Sequence, residues 1–110
     1  MKFLISFVIF YTFAVSAHAA VYWTRWLDRD NPSGTGDWET YSSFKPAPCI
    51  LGYKPVRANC RVKNNKQAWY TANQKIAPCV QCTSNGIVCK NRDNTQYCKD
   101  YEIRFLCFRP

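Results

Sequence analysis

The sequence predicts a mainly β, small single-domain module stapled by disulfides, a β-sandwich-like arrangement of short strands with long loops. Three observations lead to this fold class. Seven cysteines occur in 110 residues, and such a density is typical of secreted disulfide scaffolds. Prolines recur through the middle of the chain and exclude long helices there. Residues 101–107 alternate between Tyr, Ile, Phe or Cys and a more polar residue such as Glu102 or Arg104, which is the period of a half-buried strand.

The N-terminal segment has the features of a secretory signal peptide. Residues 3–15 form an apolar run behind Lys2 that is too short to span a membrane, and Ala17 and Ala19 form a small-x-small cleavage site. We therefore predict a signal peptide over residues 1–19, cleavage after Ala19 or Ala20, and a secreted, extracellular protein without a membrane span.

Cleavage would remove the only histidine of the chain. The mature protein would then lack the base of Ser-His and Cys-His pairs and the usual ligand of catalytic zinc. The loss of Lys2 would leave 14 basic against 7 acidic residues. We predict a basic protein that is not an enzyme.

The other elements follow from local patterns, in chain order. Aromatic, Thr-rich or β-branched segments predict strands over residues 22–27, 38–44, 56–62 and 68–72. Residues 31–36 contain Pro and two Gly and predict a loop. Asn85-Gly86 is typical of a tight turn that enters a strand. The alternating segment at residues 101–108 predicts the last strand.

Oxygen-bearing side chains flank the loop at residues 31–36, and they are Asp28, Asp30, Asn31, Asp37 and Glu39. Calcium takes carboxylate and carbonyl oxygens as ligands, so this group predicts a calcium site. The spacing is not that of an EF-hand. The alternative is that these side chains cap turns or pair with Arg25 and Arg29.

Trp23 and Trp26 form a W-x-x-W motif. Their spacing places the two indoles on opposite faces of a strand, one buried and the other exposed. In a secreted protein W-x-x-W is also the acceptor pattern for C-linked mannose on the first Trp, which predicts a glycoprotein modified at Trp23. The alternative is that one Trp belongs to the core and the other packs against the stem of an arginine.

The middle of the chain, residues 45–92, contains nine Lys or Arg and no acidic residue. Aromatic side chains lie among these cations, as on surfaces that hold polyanions. Secretion makes sulfated or acidic glycans and anionic membranes the expected partners, and excludes nucleic acid. The candidate residues are Lys54, Arg57, Arg61, Lys63 and Lys66. The alternative is a basic surface that only keeps the protein soluble.

Cys79 and Cys82 have C-x-x-C spacing, which in a cytosolic protein would suggest zinc or redox chemistry. Behind a signal peptide, structural disulfides are favoured. Because seven is odd, at least one thiol is free or bound to another molecule.

Taken in order, these motifs resemble the WxxW domain, also called the CysD domain, of gel-forming mucins and cartilage intermediate layer protein. The resemblance covers residues 21–108. It is carried by Trp23-Thr-Arg-Trp26-Leu-Asp28-Arg-Asp30-Asn-Pro32, Gly36-Asp37-Trp-Glu39-Thr, Cys60-Arg61, Gly86-Ile-Val-Cys89-Lys-Asn91 and Cys98-Lys-Asp-Tyr101-Glu-Ile-Arg104-Phe-Leu-Cys107.

The resemblance implies a non-catalytic, β-rich module of mucus or extracellular matrix that binds calcium and associates with itself, with mucins or with acidic glycans. It extends the candidate calcium ligands to Asn91 and Asp93. It also implies a disulfide framework of six family-like cysteines, which are Cys49, Cys60, Cys82, Cys89, Cys98 and Cys107. Tyr22 and Phe108 stand where family members often have a further cysteine pair.

Cys79 is then the extra cysteine, and we predict that it is a free or intermolecular thiol through which the protein can dimerise. Cys82 could exchange roles with it. The functional alternative is a secreted, basic, Cys-rich effector, such as a toxin or an antimicrobial or defence polypeptide.

Overall fold

The computed structural model describes residues 20–32 and 34–110. The predicted signal peptide lies outside these residues. The described residues form six strands, β1 Ala20–Trp23, β2 Gly36–Thr40, β3 Lys54–Val62, β4 Ile76–Thr83, β5 Gly86–Lys90 and β6 Tyr101–Arg109. Single 3-10 turns occupy Tyr41–Ser43, Trp69–Thr71 and Asn91–Asp93. Within the described ranges, no helix has the length and apolar character needed to cross a membrane.

The strands form two antiparallel three-stranded sheets, which confirms the mainly β, disulfide-stapled fold class. One sheet has the order β1-β6-β3, and the other has the order β2-β5-β4. β6 is the middle strand of its sheet, and every second side chain from Tyr101 to Cys107 is apolar and faces the core. Tyr101, Ile103, Phe105 and Cys107 are all fully buried and form the main apolar ridge of the core.

Aromatic rings from the first half of the chain pack on this ridge. The rings of Tyr41 and Phe44 meet Phe105 edge to face, with centroids 5.1 Å and 6.2 Å from it. Ile87 on β5 joins the same buried cluster. The core therefore lies between the two sheets, as a sandwich-like arrangement requires.

The predicted turn at Asn85-Gly86 joins β4 to β5. Gly86 has a φ of 125°, and a Cβ there would collide with the backbone of Glu39 and Thr40 on the neighbouring strand. Only glycine combines this backbone conformation with so close an approach. The turn thus brings β2 directly against β5.

Besides the strand predicted over residues 22–27, which ends at Trp23 as β1, two predicted strands differ from the structure. Residues 69–71 form a 3-10 turn, because Thr71 N and Ala72 N donate to the carbonyls of Ala68 and Trp69 rather than to another strand. In the segment 38–44, β2 ends at Thr40 and the chain continues into the 3-10 turn Tyr41–Ser43. In both places a local backbone hydrogen bond replaces the sheet ladder.

Three disulfides connect the elements. Cys49–Cys107 ties a long loop to β6, Cys60–Cys82 joins the two sheets through β3 and β4, and Cys89–Cys98 joins β5 to the segment before β6. Their Cα–Cα distances of 5.6 to 5.9 Å suit disulfide geometry. Cys79 remains an exposed free thiol on β4. The six framework cysteines are the ones that the family resemblance implied.

Candidate metal centre

Four carboxylates converge at the interface of the two sheets. Asp28, Asp37, Glu39 and Asp100 each offer an oxygen, and these oxygens lie within 4.8 Å of one another. Three of the four belong to the predicted ligand set. Asp100 does not, and it comes from a distant part of the chain.

Period-two alternation explains how β2 contributes two ligands. Asp37 and Glu39 are 1% and 0% exposed, so both point to the interior, while Trp38 between them lies on the opposite face. Across the ladder, Asp37 pairs with Cys89 and Glu39 pairs with Ile87, and both of these β5 residues are buried. The acids therefore occupy positions that apolar side chains would normally fill.

An isolated bridge between Leu27 and Ile103 brings in the other two carboxylates. Leu27 N donates to Ile103 O at 2.7 Å, and Ile103 N donates to Leu27 O at 2.9 Å. Asp28 follows one partner of this bridge and Asp100 precedes the other closely. The backbone N–H of Tyr101 also donates to Asp37 Oδ2 at 2.6 Å. These bonds hold the ends of three segments around one point.

The hydrogen bonds of the cluster leave several oxygens without a partner. Glu39 accepts bonds from the backbone N–H groups of Arg29 and Asp30 at 2.7 and 2.8 Å. By contrast, the Oδ1 atoms of Asp28, Asp37 and Asp100 are buried and have no hydrogen-bond partner. Burying an unpaired carboxylate oxygen costs several kcal/mol in general. Three such atoms in one cluster form a set of oxygen donors that a bound cation could satisfy.

Burial and mutual repulsion raise the pKa values of these acids. Desolvation by burial raises the pKa of Asp37 to about 7 and that of Glu39 to about 10. The pKa of Asp100 rises to about 6, first because of burial and then because of the charge of Asp28. Without a metal, the fold therefore favours protonated carboxyls at this site.

Lys63 is the one side-chain cation paired with the cluster among the described residues. Its Nζ lies 2.9 Å from Asp28 Oδ2, and this hydrogen bond raises the pKa of the lysine. A single positive charge does not balance four ionised carboxylates. The residues present fit a hard divalent cation with oxygen ligands, such as calcium, better than they fit zinc, which prefers nitrogen or sulfur.

The other predicted metal ligands lie outside this group of four. Asp30 Oδ2 accepts a bond from Trp38 N at 2.9 Å and so braces β2. Asn91 connects two loops, because its side chain donates to Gly34 O and accepts from Cys98 N. Asp93 is exposed and lies 4.0 Å from Arg92 Nε. Asn31 is an exposed loop residue.

Asp100 was missed because its only local signal was its place directly before the strongest predicted strand. Its nearest ligand partner along the chain is Glu39, more than half the chain away. No spacing rule connects residues at that distance. A strand end beside an acidic residue was the one clue that the sequence contained.

The predicted polyanion-binding residues divide into two groups. Arg61 and Lys66 both pair with Glu102, and Lys63 pairs with Asp28. Lys54 and Arg57 are exposed on β3. Three of the five cations are therefore engaged by the protein's own acids.

The two tryptophans of the W-x-x-W motif do not lie on opposite faces of a strand, so that expectation was wrong. β1 ends at Trp23, residues 24–26 lie outside any strand, and both indoles contact one guanidinium. The Arg104 guanidinium carbon lies 4.7 Å from the Trp23 ring centroid and 4.9 Å from that of Trp26, and the Arg61 guanidinium carbon lies 3.8 Å from the Trp26 ring centroid. Trp23 is 40% exposed. Its C-mannosylation stays a prediction.

Comparison with known proteins identifies related sequences. The family model described as the Mucin-2 protein WxxW repeating region matches residues 23–107. Human mucin-5B is 31% identical over 93 residues, which is 77% of this chain and 2% of that protein. Cartilage intermediate layer protein 1 of mouse and of human is 28% identical over 87 residues, 77% of this chain and 7% of those proteins.

The chain thus spans only a small part of the length of these relatives. The matched segment nevertheless includes both tryptophans of the W-x-x-W motif, all four clustered carboxylates and all three disulfides. As the order of its motifs predicted, the chain belongs to the family of the mucin-2 WxxW repeating region.

Proposed function

We propose that this protein is a non-enzymatic, extracellular module of mucus or matrix, stabilised by calcium and able to associate with itself and with acidic glycans. The observation that carries the proposal is the buried carboxylate cluster with three unpartnered oxygens. Membership of a mucin and matrix domain family, rather than an enzyme family, supports the extracellular role.

In the proposed site, Asp28, Asp37, Glu39 and Asp100 hold the calcium ion. The ion would supply the positive charge that the three unpartnered oxygens lack, and it would link β2 to the segments that flank Leu27 and Tyr101. Its role is therefore structural. Because unfolding separates these segments, binding to the folded state alone would raise stability.

Calcium should raise the melting temperature of the protein. At a calcium concentration about 100 times the Kd, linkage adds about 2.7 kcal/mol, which corresponds to on the order of 10 to 20 °C for a domain of this size. Thermal unfolding followed by circular dichroism, with calcium or with EDTA, measures the shift.

Asp100→Asn should remove most of this shift, and the matched control Asp93→Asn should keep it. Asp93 is an exposed aspartate of the same chain outside the cluster. Identical melts with calcium and with EDTA in the unmodified protein would contradict the calcium proposal. If the calcium-dependent rise in melting temperature were lost in the Asp93 variant alone, the calcium site would lie at Asn91–Asp93 instead.

A positive surface supports the association with acidic glycans. Of the seven acidic residues, all of which lie in the described part of the chain, only Asp93 is exposed. The others are turned into the carboxylate cluster, paired with cations or bonded to the backbone. The exposed charged side chains are therefore almost all basic.

The exposed thiol of Cys79 supports self-association through an intermolecular disulfide. Under non-reducing conditions we expect a covalent dimer that Cys79→Ser abolishes completely, while the neighbouring control Thr83→Ser keeps it. Non-reducing electrophoresis and mass spectrometry of labelled thiols measure this. A covalent dimer that persists in Cys79→Ser would show that a framework cysteine forms the link instead.

A further inference from the structure

An open cavity of about 350 Å³ lies beside β2 and β5, lined by Gly34, Thr35, Trp38, Lys90, Asn91 and Arg92. It is separate from the carboxylate cluster, because Trp38 and the acids on either side of it point to opposite faces of β2. Trp38 pairs with Val88 and Gly36 pairs with Lys90 across the ladder. Trp38 and Lys90 therefore share one face of the sheet.

The side chains around this cavity are held in place by bonds within the protein. Trp38 Nε1 donates to Thr35 Oγ1 at 3.1 Å, which sets the orientation of the indole. Asn91 N donates to Thr35 O, and the Asn91 side chain donates to Gly34 O, so the loop is tied to the end of β5. The aromatic wall thus exists before any ligand arrives.

Two cations stand around the indole. Lys90 Nζ lies 5.8 Å from the Trp38 ring centroid. The side chain of Arg92 is 77% exposed, and its contact with Asp93 is long, at 4.0 Å. Such a guanidinium can turn to an incoming anion at little cost, and arginine binds carboxylate and sulfate through two parallel hydrogen bonds.

We propose that this cavity binds one pyranose ring that carries a carboxylate or a sulfate, with the apolar face of the ring on Trp38 and the anion on Lys90 and Arg92. The volume is at the low end of ligand pockets, which suits one sugar unit rather than a long chain. The inference rests on the acidic-glycan part of the proposed function and names the residues and the sugar chemistry for it.

The test is a titration of the calcium-loaded protein, expressed without residues 1–19, with three probes. The chemical shift of the Trp38 indole N–H, measured by 15N NMR, reports binding. The probes are 3′-sialyllactose, 6-sulfo-N-acetylglucosamine and neutral lactose. Trp38→Phe identifies the resonance. We expect saturable shifts with one or both anionic sugars and none with lactose. Which of the two anionic sugars binds shows whether the site takes a carboxylate, a sulfate or both.

The double variant Lys90→Gln with Arg92→Gln should weaken the binding of the anionic sugar at least about tenfold, because it removes both charge-assisted contacts. The matched control, the double variant Lys75→Gln with Lys99→Gln, removes the same charge from exposed positions outside both candidate surfaces and should leave the Kd unchanged. A β3 control, Lys54→Gln with Arg57→Gln, tests the exposed cations that the sequence predicted as the competing surface. Thermal melts confirm that all three variants fold.

Three results would overturn the assignment. They are the absence of saturable shifts with either anion, equal shifts with lactose, and a loss of affinity in the β3 control instead of the Lys90/Arg92 variant. The last result would move glycan binding to β3 and keep the glycan part of the proposed function. None of them affects the calcium melts, so failure of this site is distinguishable from failure of the calcium proposal.

Discussion

In calcium-free solution, the free energy of unfolding should fall as the pH rises from about 4 to 7. Asp37 and Asp100 have pKa values of about 7 and about 6 in the fold, raised from 3.8. The folded state therefore holds these protons at a pH where the unfolded state has lost them. Stabilisation by such groups is complete below their unfolded pKa and is lost as the pH passes the folded pKa. For Asp37 alone the loss is on the order of 4 kcal/mol.

Calcium should reverse this trend. The metal binds the ionised carboxylates, so its stabilising effect grows as Asp37 and Asp100 lose their protons. We expect a small calcium effect at pH 5 and a large one at pH 8. Urea unfolding between pH 4 and pH 8, with EDTA or with calcium, measures both curves.

Asp37→Asn removes the titratable charge and keeps the local hydrogen bond, because an asparagine oxygen can still accept the bond from Tyr101 N. With EDTA at pH 8 this variant should be more stable than the natural sequence, and with calcium it should be less stable. Stability that rises with pH from 4 to 7 in EDTA would contradict the buried-acid account.

Removal of the Cys49–Cys107 disulfide should cause the largest loss of stability among the three. Its cysteines are 58 residues apart, compared with 22 for Cys60–Cys82 and 9 for Cys89–Cys98. Since a cross-link restricts the unfolded chain more when it closes a longer loop, chain entropy predicts about 4 kcal/mol for the first and about 2.5 kcal/mol for the last. That first value is a large share of the roughly 5 to 15 kcal/mol that stabilise a domain.

Paired Cys→Ala variants test this order, and urea unfolding at fixed calcium concentration gives each free energy. Both cysteines of a pair are replaced together, so that no new free thiol is created. A loss that is equal for all three pairs, or greatest for Cys89–Cys98, would contradict the loop-entropy argument.

Local patterns predicted the central elements of the fold well. The alternation in residues 101–108 predicted β6, and Asn85-Gly86 predicted the turn into β5, because both signals depend on neighbours in the sequence. The segment 68–72 was predicted as a strand and is a turn. Its aromatic residues carry strand propensity, but its pairing with β3 is limited to one bridge between Ala68 and Arg61, and the next N–H groups bond within the turn.

The candidate site was predicted in part. Asp28, Asp37 and Glu39 were found because they lie close together in sequence beside one loop. Asp30 belongs to the same segment but accepts a backbone bond instead. Asp100 enters the site through contacts between distant segments, which include the bridge between Leu27 and Ile103 and the bond from Tyr101 N to Asp37 Oδ2. Spacing identifies candidates, and the direction of each side chain then selects among them.

By itself, the sequence determined the fold class and the family, because composition, short-range alternation and ordered motifs are properties of neighbouring residues. Only the tertiary structure decided which four carboxylates meet, that Trp23 and Trp26 share one arginine, and that Trp38 lines a cavity with Lys90. Those outcomes depend on strand register and on bonds between segments far apart in the chain, and no local pattern encodes the distance between such segments.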